Sequence, residues 1–318
     1  MATVFRLTTS EVLVIQEPHD VNKRSRRKVA QRFIEDLGQV LITAQYVIPK
    51  RGITILVWLE DHLPEDALQH FHDVDVFLAP TRQAHQHRVL LMPDFYFIDS
   101  YGYESLKTHV ANVDREWSKK SKTVYWRGSS TGKDRCKTNT RVQLCKRYGK
   151  THNVALSRLL PHHIPEALGL LDQQRDLGDF LEHRYVVDVD GFSCSWDGLF
   201  WKMLSSSVVL KFTSREEQWY YRYLRPWIHY IPCTLDNFSS RVKWCREHDD
   251  ACKEIAERAS RFAHSLTYEN QVDAFAHRFA AWAGLEKRRQ FSHEKRANRE
   301  LSELLAKMSE SKSALNMN

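Results

Sequence analysis

Between Tyr185 and Lys211 the chain passes through two β-forming runs with a helical stretch between them. Tyr185-Val186-Val187-Asp188-Val189 is β-branched and ends at Asp190-Gly191, a turn signal. Residues 196–204 are aromatic-rich and amphipathic, and Ser207-Val208-Val209-Leu210-Lys211 is a second apolar strand. Strand, helix and strand in succession make a βαβ unit. Its strands are parallel, and parallel sheets place their ligands beyond the strand C-terminal ends.

The rest of the chain repeats the alternation. Strands are predicted at residues 12–15, 53–59, 74–78 and 88–92, with helices at 28–46 and 65–72. A helix over 103–117 leads to Ser118-Lys119-Lys120-Ser121-Lys122, a polar run that marks a domain boundary. Beyond it come a strand at 123–126, a helix at 139–148, a strand at 153–156 and the βαβ unit. Helices follow at 235–247, 250–264 and 268–283. The fold class is therefore α/β, in two domains with a helical C-terminus. The expected division is 1–118, 119–285 and a charged helical tail over 286–318, frayed at 309–318.

At 318 residues the chain can bury two ordinary cores. No apolar run is long enough to cross a bilayer, and Arg6 interrupts the only apolar start near the N-terminus, so a cytoplasmic location is expected. Six cysteines without Cys-x-x-Cys spacing read as reduced, partly buried thiols. The net charge of +7 suits an anionic partner, whether a nucleotide diphosphate, an acidic glycan, a nucleic acid or a membrane surface touched peripherally. The sharpest basic cluster, residues 23–28, reads as a solvated helix start or an anion-binding surface.

Several residues suit anion chemistry. Arg127-Gly128-Ser129 follows a strand, where glycine lets backbone approach a phosphate and serine adds a hydroxyl; Gly132, Lys133, Arg135 and Arg141 come next. Lys211 ends its strand at the edge where α/β ligands bind. Asp188 and Asp190, one residue apart on extended chain, point the same way, so they suit either a hard cation or sugar hydroxyls. The aromatic cluster Trp219, Tyr220, Tyr221, Trp227, His229 and Tyr230 reads as core, with Trp227 anchoring a turn after Pro226. His85-Gln86-His87 and His162-His163 lack partners at metal-ligand spacing, so no metal site is expected.

The ordered set Asp188-x-Asp190-Gly191, Ser195-Trp196, Leu199-Phe200-Trp201-Lys202, Ser207 to Lys211 and Leu224-x-Pro226-Trp227-x-His229-Tyr230 resembles the capsule-associated glycosyltransferases, glycosyltransferase family 90. Tyr125-Trp126-Arg127-Gly128-Ser129 with Thr131-Gly132, and Met92-Pro93-Asp94-Phe95, extend the similarity over roughly residues 90–285. The resemblance implies two Rossmann-like domains in the GT-B architecture and inverting transfer of a sugar from a UDP-sugar. The expected donor is UDP-xylose, then UDP-glucose, with a glycan, lipopolysaccharide or glycoprotein acceptor and no required cofactor or metal. It points to polysaccharide biosynthesis and to a short bacterial-type or virus-type member.

Carried onto this chain, the resemblance makes Arg127, Gly128, Ser129, Arg135, Arg141, Asp188, Asp190, Gly191, Ser195, Trp196 and Lys211 donor-site residues. Inside the motif Ser195-Trp196-Asp197-Gly198-Leu199-Phe200 stands where many members carry Ser-x-Arg-Phe, so one expected phosphate ligand is missing. The base position of the animal O-glucosyltransferases falls on Val89, which cannot accept a proton, leaving Asp94 and then Asp99 as the expected bases. The alternatives are a catalytically inactive protein of this fold and a basic nucleic-acid-binding protein. For the latter, acids interleave with the basic residues and no nucleic-acid-binding motif appears.

Overall fold

A computed structural model describes residues 2–16, 23–61, 64, 67–132, 135–173 and 175–288. Lys133 and residues 289–318, which make up most of the expected tail, lie outside the described residues.

The first half builds strands β1 (Ala2–Leu7), β2 (Val12–Gln16), β3 (Ile53–Trp58), β4 (Val76–Ala79), β5 (Thr81–Gln83) and β6 (Val89–Leu91). Five of them form a sheet in the order β2-β1-β3-β4-β6. It is mixed rather than parallel throughout: β1 runs antiparallel to β2 and to β3, and only β3, β4 and β6 are mutually parallel. The cause is local. The β1–β2 connection is closed by the Thr8 N–H donating to the Glu11 carbonyl at 2.9 Å, far too short for a crossover. Strand β1 itself carries no readable signal, because Arg6 breaks its pattern and both faces are used: Val4 packs in one cluster, Phe5 and Leu7 in another.

The second half builds β7 (Ser121–Ser129), β8 (Asn153–Arg158), β9 (His183–Asp188), β10 (Val208–Phe212), β11 (Glu216–Gln218) and β12 (Ile231–Cys233). The sheet order is β12-β10-β9-β7-β8, with every neighbouring pair parallel. Counted by occurrence along the sheet this is 2-1-3-4-5, an order of doubly wound sheets, whose chain direction reverses between the first and third strands. That switch point lies between β7 and β9. Helices Thr140–Tyr148 and Asp197–Leu204 make two of the crossovers; Asn139 caps the first by accepting from the Val142 N–H at 3.0 Å.

The halves are tied together at several points. Strands β5 and β11 pair antiparallel, with Gln83 opposite Glu216 and Thr81 opposite Gln218. Beneath them one apolar cluster crosses from sheet to sheet: Phe97 lies 4.6 Å from Trp219 and Tyr103 lies 4.7 Å from Phe200, ring centroid to ring centroid. Helix Tyr268–Trp282 returns from the second half to pack on helix Arg24–Thr43, where Phe275 meets Phe33 at 5.1 Å. Trp227, expected in the core, is instead 37 % exposed. It shapes its turn with φ of 64° and a 2.7 Å hydrogen bond to the Tyr230 carbonyl, meets Trp244 edgewise and carries the Arg241 guanidinium over its ring at 4.8 Å. All six cysteines are buried and unpaired, and burial pushes the Cys145 thiol up to about 12.

Candidate active site

At the C-terminal edge of β9 and β10 sits a buried cluster of ions. Asp188, with no solvent exposure, accepts from Lys202 Nζ at 2.8 Å, Ser195 Oγ at 2.8 Å and Lys211 Nζ at 3.4 Å. Lys211 also lies 3.6 Å from Asp190, whose carboxylate accepts from the Ser195 N–H at 3.1 Å and from the Ser214 hydroxyl. Burial alone would push the Asp188 carboxyl up; the charges of Lys202 and Lys211 outweigh it and hold that carboxyl well below the usual carboxylate range. Lys211 is raised in return: burial lowers it, and Asp190 and Asp188 more than compensate. Two carboxylates that the sequence left open to a cation are thus neutralised by two lysines.

The loop after β9 is fastened to the loop after β7. Arg141 donates from Nε and Nη2 to the Val189 carbonyl at 3.1 and 2.7 Å, and from Nη1 to the Ser129 carbonyl at 3.2 Å and Thr131 Oγ1 at 2.7 Å. A side chain at Gly191 would put its Cβ 2.6 Å from Thr131 Oγ1, so only glycine allows this approach. The arrangement frames the switch point from both sides.

The first half reaches the same place. Asp61, three residues past β3, accepts from Ser193 Oγ at 3.0 Å and from Trp196 Nε1 at 2.9 Å. The Arg26 guanidinium lies 5.4 Å from the Trp196 ring, and Tyr96 meets that ring edgewise at 5.9 Å. Trp196 holds φ of 53° with ψ of −123°, a conformation that costs a non-glycine residue on the order of 1–3 kcal/mol. Its ring contacts on the first half offset that strain and fix the entry to helix Asp197–Leu204.

The expected site residues separate into two groups. Ser129, Gly191, Asp188, Asp190, Ser195, Trp196 and Lys211 come together around the switch point, while Arg135 stands exposed just beyond the β7 loop. Arg127 and Arg141, expected to face a diphosphate, spend their guanidinium groups on protein. Arg127 pairs with Asp172, donates to Asn153 Oδ1 at 2.8 Å and lies over the Tyr125 ring at 4.8 Å. Gly128 leaves room for the Trp126 ring, which an added Cβ would meet at 2.6 Å.

The expected proton acceptor also has a different task. Asp94 caps helix Phe95–Asp99 by accepting from the Tyr96 and Phe97 N–H groups, both at 3.0 Å. It accepts further from Tyr103 Oη at 2.8 Å and from Trp219 Nε1 at 3.2 Å, with no solvent exposure. Burial pushes its carboxyl up against the pull of those four donors. A carboxylate so filled and so enclosed has no face left for an acceptor hydroxyl. Asp99, the second expectation, is largely exposed and lies 3.7 Å from Arg32.

Sequence reading singled out neither Lys202 nor Asp61, and took in Arg26 only as part of the basic cluster at 23–28. Lys202 carried a usable signal, as the one charge inside the apolar run Leu199-Phe200-Trp201-Lys202-Met203-Leu204. Among the described residues no helix is long and apolar enough to cross a membrane, and no group of three or more His, Cys, Asp or Glu is placed to hold a metal ion.

Known proteins share this chain's pattern. It is 29% identical over 186 residues to protein O-glucosyltransferase 2 of Danio rerio, covering 57% of this chain and 36% of that protein. It is 28% identical over 171 residues to human protein O-glucosyltransferase 3, covering 51% and 31%. The chain thus spans about a third of the length of these curated relatives. Among solved structures, Anabaena Alr3699/HepE in complex with UDP aligns over 82% of each chain with a TM-score of 0.44 and 10% identity. Residues 86–316 match the model of Glycosyl transferase family 90, most of the chain, and the protein belongs to that family.

Proposed function

We propose that this protein is an inverting glycosyltransferase of the GT-B type, with a Rossmann-like half over residues 1–118 on the acceptor side and a nucleotide-sugar half over 119–285. The observation that carries the reading is the buried Asp188–Lys202–Lys211 cluster at the C-terminal ends of β9 and β10, beside the switch point of a parallel sheet. There the loops after β7, β9 and β10 form one rim, the location where doubly wound sheets take nucleotides. Ser129 and the exposed Arg135 offer a hydroxyl and a guanidinium donor to a diphosphate, while Ser195 keeps its hydroxyl on Asp188. Those two donors stabilise the charge that develops on the leaving UDP as the sugar bond breaks.

The names of the relatives speak of glucosyl transfer, which moves UDP-glucose ahead of UDP-xylose as the donor to test first. A glycan, lipopolysaccharide or glycoprotein is the proposed acceptor, and the chain itself is proposed to work in the cytoplasm. The test is calorimetric titration with UDP, UDP-glucose and UDP-xylose. Saturable binding of UDP with a preference for one sugar supports the reading; no binding of any of the three overturns it. Arg135→Ala removes a charge-assisted hydrogen bond of about 1.5–3 kcal/mol, so UDP affinity is expected to fall roughly tenfold or more. Thermal stability should not change, because the side chain is exposed.

Turnover of the UDP-sugar is expected to persist in excess EDTA, since lysines already neutralise both carboxylates of the Asp188-x-Asp190 pair. Loss of turnover on chelation, restored by Mn²⁺ or Mg²⁺, would show that a cation displaces the lysines.

A further inference from the structure

With Asp94 enclosed in its cap, the proton of an attacking hydroxyl needs another acceptor. The β5–β11 ribbon offers one. Its residues alternate between two faces, and the partners of each identify which face is which. Glu217 turns to Arg82, with Nε at 2.9 Å from its carboxylate. Gln218, on the opposite face, donates from Nε2 to the Trp196 carbonyl at 3.0 Å, and Thr81 beside it donates to the Asp61 carbonyl. Glu216 and Gln83 share that face, so Glu216 stands over the rim formed by Asp61 and the loop after β9. The backbone holds it there: Ser214 Oγ donates to Asp190 and accepts from the Glu216 N–H at 3.1 Å.

We infer that Glu216 is the general base of the glycosyl transfer, a role that rests on the UDP-sugar reading above. In the reaction the acceptor oxygen forms a bond to the anomeric carbon while its proton passes to the Glu216 carboxylate. The bond between the anomeric carbon and the phosphate oxygen breaks, and its electron pair leaves on UDP. The surroundings suit the task. The Glu216 carboxyl is raised to about 7, first by burial and then by the negative charges of Asp190 and Asp61, against His85 and a hydrogen bond from Gln83. A base poised near neutrality combines a deprotonated form at working pH with real affinity for the proton. Its position on the ribbon between the two sheets places it where the first half meets the rim.

UDP-glucose hydrolysis without added acceptor, followed by NMR against pH, tests the assignment, with water as the attacking hydroxyl. Because the base must be deprotonated, the wild-type rate should climb as pH rises through about 7. Glu216→Gln should lose that limb and about 10²–10⁴-fold in rate while still binding UDP. Azide needs no deprotonation, so adding it should restore sugar consumption by Glu216→Gln, with glycosyl azide as product. Asp197→Asn is the control, because Asp197 opens onto a different cavity, beside Tyr96 and Asp99, and should keep the limb. An unchanged pH profile in Glu216→Gln, no rescue by azide, or loss of the limb in Asp197→Asn instead would overturn the assignment. A wild-type chain that neither binds UDP nor consumes UDP-glucose overturns the donor reading and the base with it.

Discussion

Replacing Asp188 by alanine is expected to lower the unfolding free energy by about 3–5 kcal/mol, the cost of leaving a buried charge without its partner. Here Lys202, 5 % exposed, would be stranded, and Lys211, 8 % exposed, would be left with Asp190 alone at 3.6 Å. Denaturant titration reads the loss directly. Asp188→Leu combined with Lys202→Met should recover much of it, since an apolar pair of similar volume needs no compensation, and the difference between single and double variants isolates the coupling. The pH dependence has a definite sign. Asp188 is depressed in the folded chain, so its contribution is fully present above the unfolded value near pH ~4 and fades as pH falls toward the folded one. The gap between wild type and Asp188→Asn should therefore narrow in acid. A gap that is flat down to pH ~3 would mean that the lysines do not hold the carboxylate.

Asp94 is the second large effect. Asp94→Ala leaves two helix N–H groups, a tyrosine hydroxyl and an indole N–H without an acceptor. Each orphaned buried donor costs about 1–3 kcal/mol, partly relieved by relaxation, so a loss of roughly 3–5 kcal/mol is expected. Asp94→Asn keeps the shape but points an amide N–H at one of the donors, and should cost less. Per folded molecule, Asp94→Asn should keep most of its UDP-glucose turnover, whereas a proton acceptor would forfeit about 10²–10⁴-fold. Turnover down by that amount in a stable, folded variant would return the base to Asp94.

What the sequence made legible was local. Val186-Val187 and Val208-Val209 announced β9 and β10, and Gly191 announced the turn between them, because β-branching and glycine act within a few residues. The helices after residue 235 were likewise readable from their spacing. What stayed hidden depends on contacts between distant residues. Asp94 sits in a motif that suits a base as well as a cap, and the donor that completes its enclosure, Trp219, is 125 residues away. Arg127 and Arg141 have the chemistry of phosphate ligands, yet Asp172 and the Val189 carbonyl claim them in the fold. Glu216 carries no local mark at all. The pairing of β11 with β5 and the Ser214 contact bring it to the rim.

The apolar cluster that runs from Phe33 and Phe97 through Phe200 to Trp219, closed by Phe275 on the returning helix, bears on how the chain can come apart. Because neither sheet owns that cluster, neither half has a complete interior of its own. Melting should then be a single cooperative transition, coincident by calorimetry and by circular dichroism, instead of two steps. A fragment ending near residue 118 would strip Phe33 of Phe275 and Phe97 of Trp219, and a fragment starting there would bare the same rings from the other side. Each piece would present a wide oily face to water and self-associate. The two sheets can be cut apart on paper at the polar run, but in solution they stand or fall together.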